Sequence, residues 1–196
     1  MTKTGYNIDD PYGIYFTTFT VVGWVDLFTR KECQDILIEA LNYCQKEKGL
    51  QIFAYVIMPS HCHFILSAKE DSTGLSNLIR DLKSYTSKQL IKWIQKSNSE
   101  SRRDWLKIVF RYHAKYNSNN KEYQIWKQDN HAKQCQYPKF TNQKIDYIHY
   151  NPVVSGIVDA PEQYRLSSAK EYAGLGTGPI EVLVIEYGSQ EGYIFM

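Results

Sequence analysis

A chain of 196 residues that is 43% hydrophobic and 22% charged can bury one sizeable core, which excludes wholesale disorder. Its formal net charge of +2 excludes polyanion binding by bulk charge, so any nucleic-acid contact must come from local patches and a defined site. No stretch approaches the roughly 20 apolar residues that cross a bilayer, and the opening MTKTGYNIDDPYG carries no export signal. The expectation is a cytoplasmic protein with no membrane partner. Its four cysteines would then be reduced thiols, and without a Cys-x-x-Cys pair they do not suggest a zinc site. Sixteen tyrosines are the compositional oddity. Their rings can stack on unpaired bases and their hydroxyls can reach phosphate, although most are expected to line core edges.

In chain order, residues 12–24 (YGIYFTTFTVVGW) are rich in β-branched and aromatic types and predict a first strand. Residues 30–48 repeat apolar positions at helical spacing, with Thr29 as a possible cap and Gly49 placed to end the helix. LQIFAYVIM at 50–58 predicts a second strand and Pro59-Ser60 a tight turn. HCHFILSA at 61–68 predicts a third strand that pairs with the second as a hairpin. Ser72 or Thr73 starts a long helix to about Gln95 whose apolar stripe is flanked by Arg80, Lys83, Lys88 and Lys92. Residues 96–120 are polar and read as an insertion or mobile region, despite an apolar patch at 105–110. Residues 123–136 are expected to be extended with Trp126 as an anchor. Residues 142–150 look helical, with Asn151-Pro152 as the stop. Beyond Ala173, GLGTGP reads as a linker and IEVLVIEY as a late strand that covers a sheet edge or joins a partner chain.

The order strand, helix, strand, strand, helix, then strand-like and helical segments suggests an α+β fold. It is the split βαβ, ferredoxin-like sandwich: an antiparallel sheet with helices on one face.

The most informative residues are His61 and His63. Side chains two apart on a strand leave the same face, so the two imidazoles form a natural bidentate clamp for a metal, while Cys62, Phe64 and Leu66 point the other way. Taken alone, the pair reads about equally well as two polar residues on a solvated face. Two histidines do not complete a coordination shell; Asn151, Asp146, His149 and His131 are candidates for a third ligand. Tyr147 and Asn151 lie four apart and share a helix face, which could present a phenol and an amide to a metal-bound phosphate. Spacing alone favours a simpler reading, in which Tyr147 is core and Asn151 caps the helix.

Residues 55–66 (YVIMPSHCHFIL) resemble the His-hydrophobic-His strand of single-tyrosine transposases. Residues 146–158 (DYIHYNPVVSGIV) resemble the tyrosine helix of the REP-associated branch of that family, and Tyr164 to Ala169 with Tyr172 its downstream stretch. Lys83-Ser84-Tyr85-Thr86 falls where the family has a basic helix. The resemblance covers residues 12–172, read as a catalytic domain with 96–120 as an insertion and 173–196 as a C-terminal linker and late strand.

What the resemblance implies is a ferredoxin-like enzyme acting on single-stranded or hairpin DNA, with a homodimer allowed. His61 and His63 would hold Mg²⁺ or Mn²⁺, Asn151 would be the third ligand and Tyr147 the nucleophile that forms a 5′-phosphotyrosine link. Arg80, Lys83, Lys88 and Lys92, with Arg102, Arg103 and Arg111 as further candidates, would contact phosphates, and Trp126 could stack a base. Tyr85 is a weaker candidate nucleophile, because its neighbours supply lysines but no metal-binding amide. Two other classes compete with this expectation. One is a non-catalytic single-strand-binding domain, for which Tyr147 is dispensable. The other is a small-molecule metalloenzyme built on the histidine pair.

Overall fold

The computed structural model describes residues 7–117 and 122–185. Among them, β1 (Tyr15–Thr20), β2 (Leu50–Ile57), β3 (His61–Ala68) and β4 (Lys133–Gln134) form one antiparallel sheet in the order β2-β3-β1-β4. This is the split βαβ arrangement: α1 (Lys31–Lys48) carries the chain from β1 to β2, and β3 returns by a hairpin to lie between them. Gly49 ends α1 in the left-handed region at φ 75°, as its place after the apolar stripe predicts.

The sheet has two different faces. Tyr15, Phe19, Cys62, Phe64 and Leu66 turn toward α1 and α2 (Leu75–Lys96), where they build the larger core with Leu37, Leu41, Leu78 and Leu82. Phe16 and Ile65 turn the other way, and with Val56 and Met58 they take Ile145 and Ile148 of α4 (Pro138–Val154), so helices cover both faces of the sheet rather than the one expected. A register shift between Ile52 and Ala54 reverses the alternation of β2, so Leu50 and Ile52 face the larger core before it and Tyr55 and Ile57 after it.

Several boundaries differ from the sequence reading, each for a physical reason. The first strand stops at Thr20, because Val21 to Trp24 fold into a tight turn with Gly23 at φ 66° and Trp24 at φ 54°. The second long helix begins at Leu75 after Gly74 rather than on Ser72 or Thr73; the Ser72 hydroxyl accepts from the Gly74 N–H just ahead of it. The 96–120 stretch, read from sequence as an insertion or mobile region, contains helix α3 (Arg103–Lys115). Leu106, Phe110 and Ala114 recur at helical spacing and are buried, while Trp105, Ile108, Tyr112 and Tyr116 stay exposed on the other side. An apolar face that faced solvent in half its positions hid the period.

Helix α4 starts four residues earlier than expected, with Pro138 in its first turn. It runs through Asn151 and Pro152 to Val154. It closes where Gly156 (φ 67°) and Ile157 donate back to the carbonyls of Val153 and Pro152, a Schellman ending. The expected late strand is not formed by residues 180–185; Glu186 and Tyr187 lie outside the described residues. The segment still lies along the sheet edge: Leu183 N–H donates to Ile52 O at 2.9 Å, and Asn42 and Gln45 of α1 hold the carbonyls of Pro179 and Glu181. The rest of the β2 edge is paired by residues 166–168.

Because Phe110 is fully buried in the core shared with α1 and α2, Phe110→Ala should cost about 3–5 kcal/mol. Urea denaturation should show one transition at a lower midpoint. An unchanged midpoint, or a separate early transition, would mean that α3 is not part of this core.

Candidate functional site

The register of β3 between β1 and β2 sets the site. His63 sits opposite Thr18 of β1 and Val56 of β2, and His61 sits opposite Thr20. Both histidines therefore leave the face covered by α4, and their ring centroids lie 4.8 Å apart. Each has its Nδ1 engaged by a hydroxyl: His63 with Thr18 Oγ1 at 2.9 Å and His61 with Ser60 Oγ at 3.2 Å. Fixing Nδ1 in this way leaves Nε2 as the remaining nitrogen of each ring, and that of His63 faces the Tyr147 hydroxyl.

Helix α4 brings Tyr147 over this pair. Its hydroxyl lies 3.4 Å from His63 Nε2, and its ring meets the imidazole edge-on at 5.0 Å. Phe16 completes the packing, stacked on His63 at 5.6 Å and edge-on to Tyr147. Tyr147 remains 47% exposed while His63 is 4% exposed, so the tyrosine reaches solvent and the histidine beneath it is nearly covered. Lys144, one turn earlier on α4, holds its ammonium about 5 Å from the rings of Phe16, Phe140 and Tyr147.

Burial dominates the electrostatics. It pushes His63 down to about 3, with the charges of His61 and Lys144 acting in the same direction, and it lowers His61 as well. Both are therefore neutral near pH 7, the state in which an imidazole can ligate. Burial also lowers Lys144.

The other candidates part company. Asn151 lies one turn beyond Tyr147 on α4 and is half-buried. Asp146, His149 and His131 do not join the pair: among the described residues no group of three His, Cys, Asp or Glu side chains could hold a metal. His149 instead bonds Ser168 Oγ at 2.9 Å and packs on Tyr172, tying α4 to the segment that pairs with β2. His131 faces Asp129 on a loop.

The basic residues of α2 lie on the opposite sheet face from the histidines. Lys88 and Lys92 are exposed, and exposed Arg80 pairs with Asp81 at 3.0 Å. Lys83 is engaged inside the protein: its ammonium bonds Lys127 O and Asn130 Oδ1 and lies over the Phe19 ring, and burial lowers it to about 8. Arg102 is held by Glu100 and Asp26, Arg103 lies 3.8 Å from Asp104 and Arg111 pairs with Glu122. Trp126 is buried, stacked on Phe28 and donating to Thr86 Oγ1, so it is an anchor and offers no face to a base. Tyr85 is exposed on α2, remote from the clamp face.

Sequence reasoning missed Thr18, Ser60 and Lys144 around the histidines and Tyr147. Ser60 and Lys144 had a usable signal, since each is within a few residues of a named candidate. Thr18 needed the β1–β3 register.

Residues 25–150 match the family model described as transposase IS200 like, a span that covers well over half of the chain. The protein belongs to that family. Among solved structures, it is similar over 93% of its length, and over 93% of the other chain, to a REP-associated tyrosine transposase bound to a REP hairpin, with a TM-score of 0.57. At 20% sequence identity this likeness establishes the fold. No curated protein matches the chain. Among the described residues, no helix is long and apolar enough to cross a membrane.

The neutral buried histidines make stability pH-dependent. The unfolded chain takes up protons near 6.5, whereas folded His63 and His149 wait until about 3 and about 4. Their contribution is full above 6.5 and is lost as pH falls below it, by up to about 1.4 kcal/mol per pH unit for each group. Urea denaturation at pH 7 and pH 5 should show the loss, and His149→Gln should flatten the slope. A stability that rises or stays level on acidification would contradict the burial described here.

Proposed function

We propose that the protein is a single-strand DNA nicking and joining enzyme of the REP-associated tyrosine transposase type. Single-stranded or hairpin DNA is its substrate and Tyr147 its nucleophile. The observation that carries the reading is the 3.4 Å approach of the Tyr147 hydroxyl to His63 Nε2, because it joins the two motifs at one point. Family membership and the fold supply the class of chemistry.

His61 and His63 would hold Mg²⁺ or Mn²⁺ through Nε2, with Asn151 as a third ligand and substrate and water oxygens completing the shell. The donor set fits: two oriented, neutral imidazoles leave room for the oxygens that a hard cation prefers. Bound there, the ion supplies charge stabilisation to the scissile phosphate.

This chain's residues do the rest. Thr18 and Ser60 fix the imidazole orientations, and Phe16 and His63 position the Tyr147 ring. The Tyr147 oxygen forms a bond to phosphorus as the bond from phosphorus to the 3′ oxygen breaks. The products are a 5′-phosphotyrosine and a free 3′-hydroxyl, with the phenolic proton passing to the leaving oxygen through solvent. A 3′-hydroxyl from the same or another strand reverses the step and releases Tyr147. Lys144 places a cation beside the reacting phenol, where it favours a bound phosphate. Arg80, Lys88 and Lys92 are assigned to sequence-independent backbone contacts farther along the strand, and Lys83, through its hold on Lys127 and Asn130, to shaping the groove they border.

Labelled hairpin oligonucleotides incubated with Mn²⁺ should give a covalent protein–DNA band. Tyr147→Phe should abolish it, and the pair His61→Ala with His63→Ala should reduce it by about 100-fold or more. A band that survives in Tyr147→Phe would overturn the nucleophile. Unchanged hairpin binding with no band under any divalent cation would favour a non-catalytic single-strand-binding domain.

A further inference from the structure

We infer that Trp24 and Lys127 form a nucleotide subsite at the mouth of the histidine pair, in which the indole stacks an unpaired base of the substrate strand and the lysine pairs with that nucleotide's phosphate. The inference rests on the DNA strand-nicking reading and deepens it.

Trp24 is the most exposed of the four tryptophans. It is 58% exposed, although a large aromatic ring ordinarily finds a core. Its backbone sits at φ 54°, a left-handed conformation that costs a bulky residue strain and persists only where the surroundings impose it.

Those surroundings are well defined. Val21 N–H donates to Ser60 O and Val22 N–H to Ile125 O on either side of the turn, and Trp24 N–H closes it on Val21 O. Gly23 takes φ 66°, and a Cβ there would lie 3.4 Å from both His113 and Val109 of α3, so this helix backs the turn closely. The strain is thus held by three separate segments, and its product is an indole pushed out beside His61.

What surrounds the ring points to the ligand. The indole meets the His61 imidazole edge-on at 5.4 Å, which places it next to the clamp. Lys127 Nζ lies 4.8 Å from the indole centroid, and its backbone N–H is fixed to Thr20 O, opposite His61 in register. An exposed aromatic plane with a cation against it suits a nucleotide, whose base offers a π face and whose phosphate offers the charge. A duplex end keeps its bases paired and stacked, so the subsite selects a single-stranded nucleotide flanking the cut. Lys127 also borders the groove of about 1000 Å³ between α2 and residues 123–130, where Lys88 is exposed. A strand leaving the clamp past Trp24 would enter that groove.

The test measures binding in the Tyr147→Phe background, so that no cleavage intervenes. The probes are a labelled DNA hairpin with a single-stranded flank and the same hairpin without it. Trp24→Ala should weaken binding of the flanked hairpin by about 10- to 100-fold and leave the blunt hairpin unchanged, while Trp24→Phe should keep most of the affinity. Scanning an abasic nucleotide through the flank should find one position whose loss equals that of Trp24→Ala and adds nothing to it. Lys127→Gln should lower the slope of log affinity against log salt by about 0.7, the value of one single-strand phosphate contact.

The subsite is overturned if Trp24→Ala binds the flanked hairpin like its parent, if both hairpins lose affinity equally, or if every abasic position adds to the Trp24→Ala loss. Blunt-hairpin binding that persists while the Mn²⁺-dependent covalent band of the unmutated protein is absent counts against the enzyme reading instead. A protein that binds neither hairpin overturns both.

Discussion

The register of β3 at the centre of the sheet is the constraint on which the rest of the site depends. Flanked by β1 on one side and β2 on the other, β3 has its alternation fixed twice. Cys62, Phe64 and Leu66 must enter the core under α1 and α2, and that leaves His61, His63 and Ile65 on the face of α4. A slip of one residue would bury two imidazoles among leucines and move three apolar side chains out of the larger core to the α4 face, so apolar packing on one face enforces the position of the polar pair on the other. The hydrophobic core thereby acts as the alignment device for the chemistry.

The second constraint is the seat of α4, because a tyrosine on a helix meets a histidine on a strand only if helix and sheet are held in fixed relation. Ile145 and Ile148 supply the apolar contact. Polar ties supply direction: His149 reaches Ser168, whose hydroxyl also bonds Tyr55 of β2, while Tyr164 and Tyr172 donate to the carbonyls of Ile57 and Phe53. A histidine that looked like a metal ligand is therefore part of the structure that positions Tyr147. The same segment pairs the exposed edge of β2, which removes an aggregation-prone edge while it locks the helix.

Much of this was legible in the sequence. Strand alternation placed His61 and His63 on one face, and the βαββα order pointed to the sheet, because both follow from local periodicities. The meeting of Tyr147 with His63 was not legible from spacing, since it depends on packing between elements 84 residues apart; resemblance alone suggested it. Helix α3 was hidden because its exposed side carries Trp105, Ile108 and Tyr112 while its buried side is short. Trp126 is the anchor that its place in an extended segment predicts, whereas Trp24, expected only as the end of the first strand, is turned outward by a glycine-led turn that alternation does not show. Whether Lys83 faces solvent or a carbonyl is likewise decided by the loop that folds over it.

If Tyr147 is the nucleophile, it is the residue that carries the DNA, and the site of modification can be read from trapped protein. Protein trapped with a hairpin oligonucleotide and Mn²⁺ would be digested with nuclease and trypsin, and the peptide carrying residual nucleotide would be sequenced by tandem mass spectrometry. The expected product is a 5′-phosphate diester on the peptide spanning residues 145–165, localised to Tyr147. Nucleotide attached to Tyr150, to Tyr85 or to any other residue would contradict it.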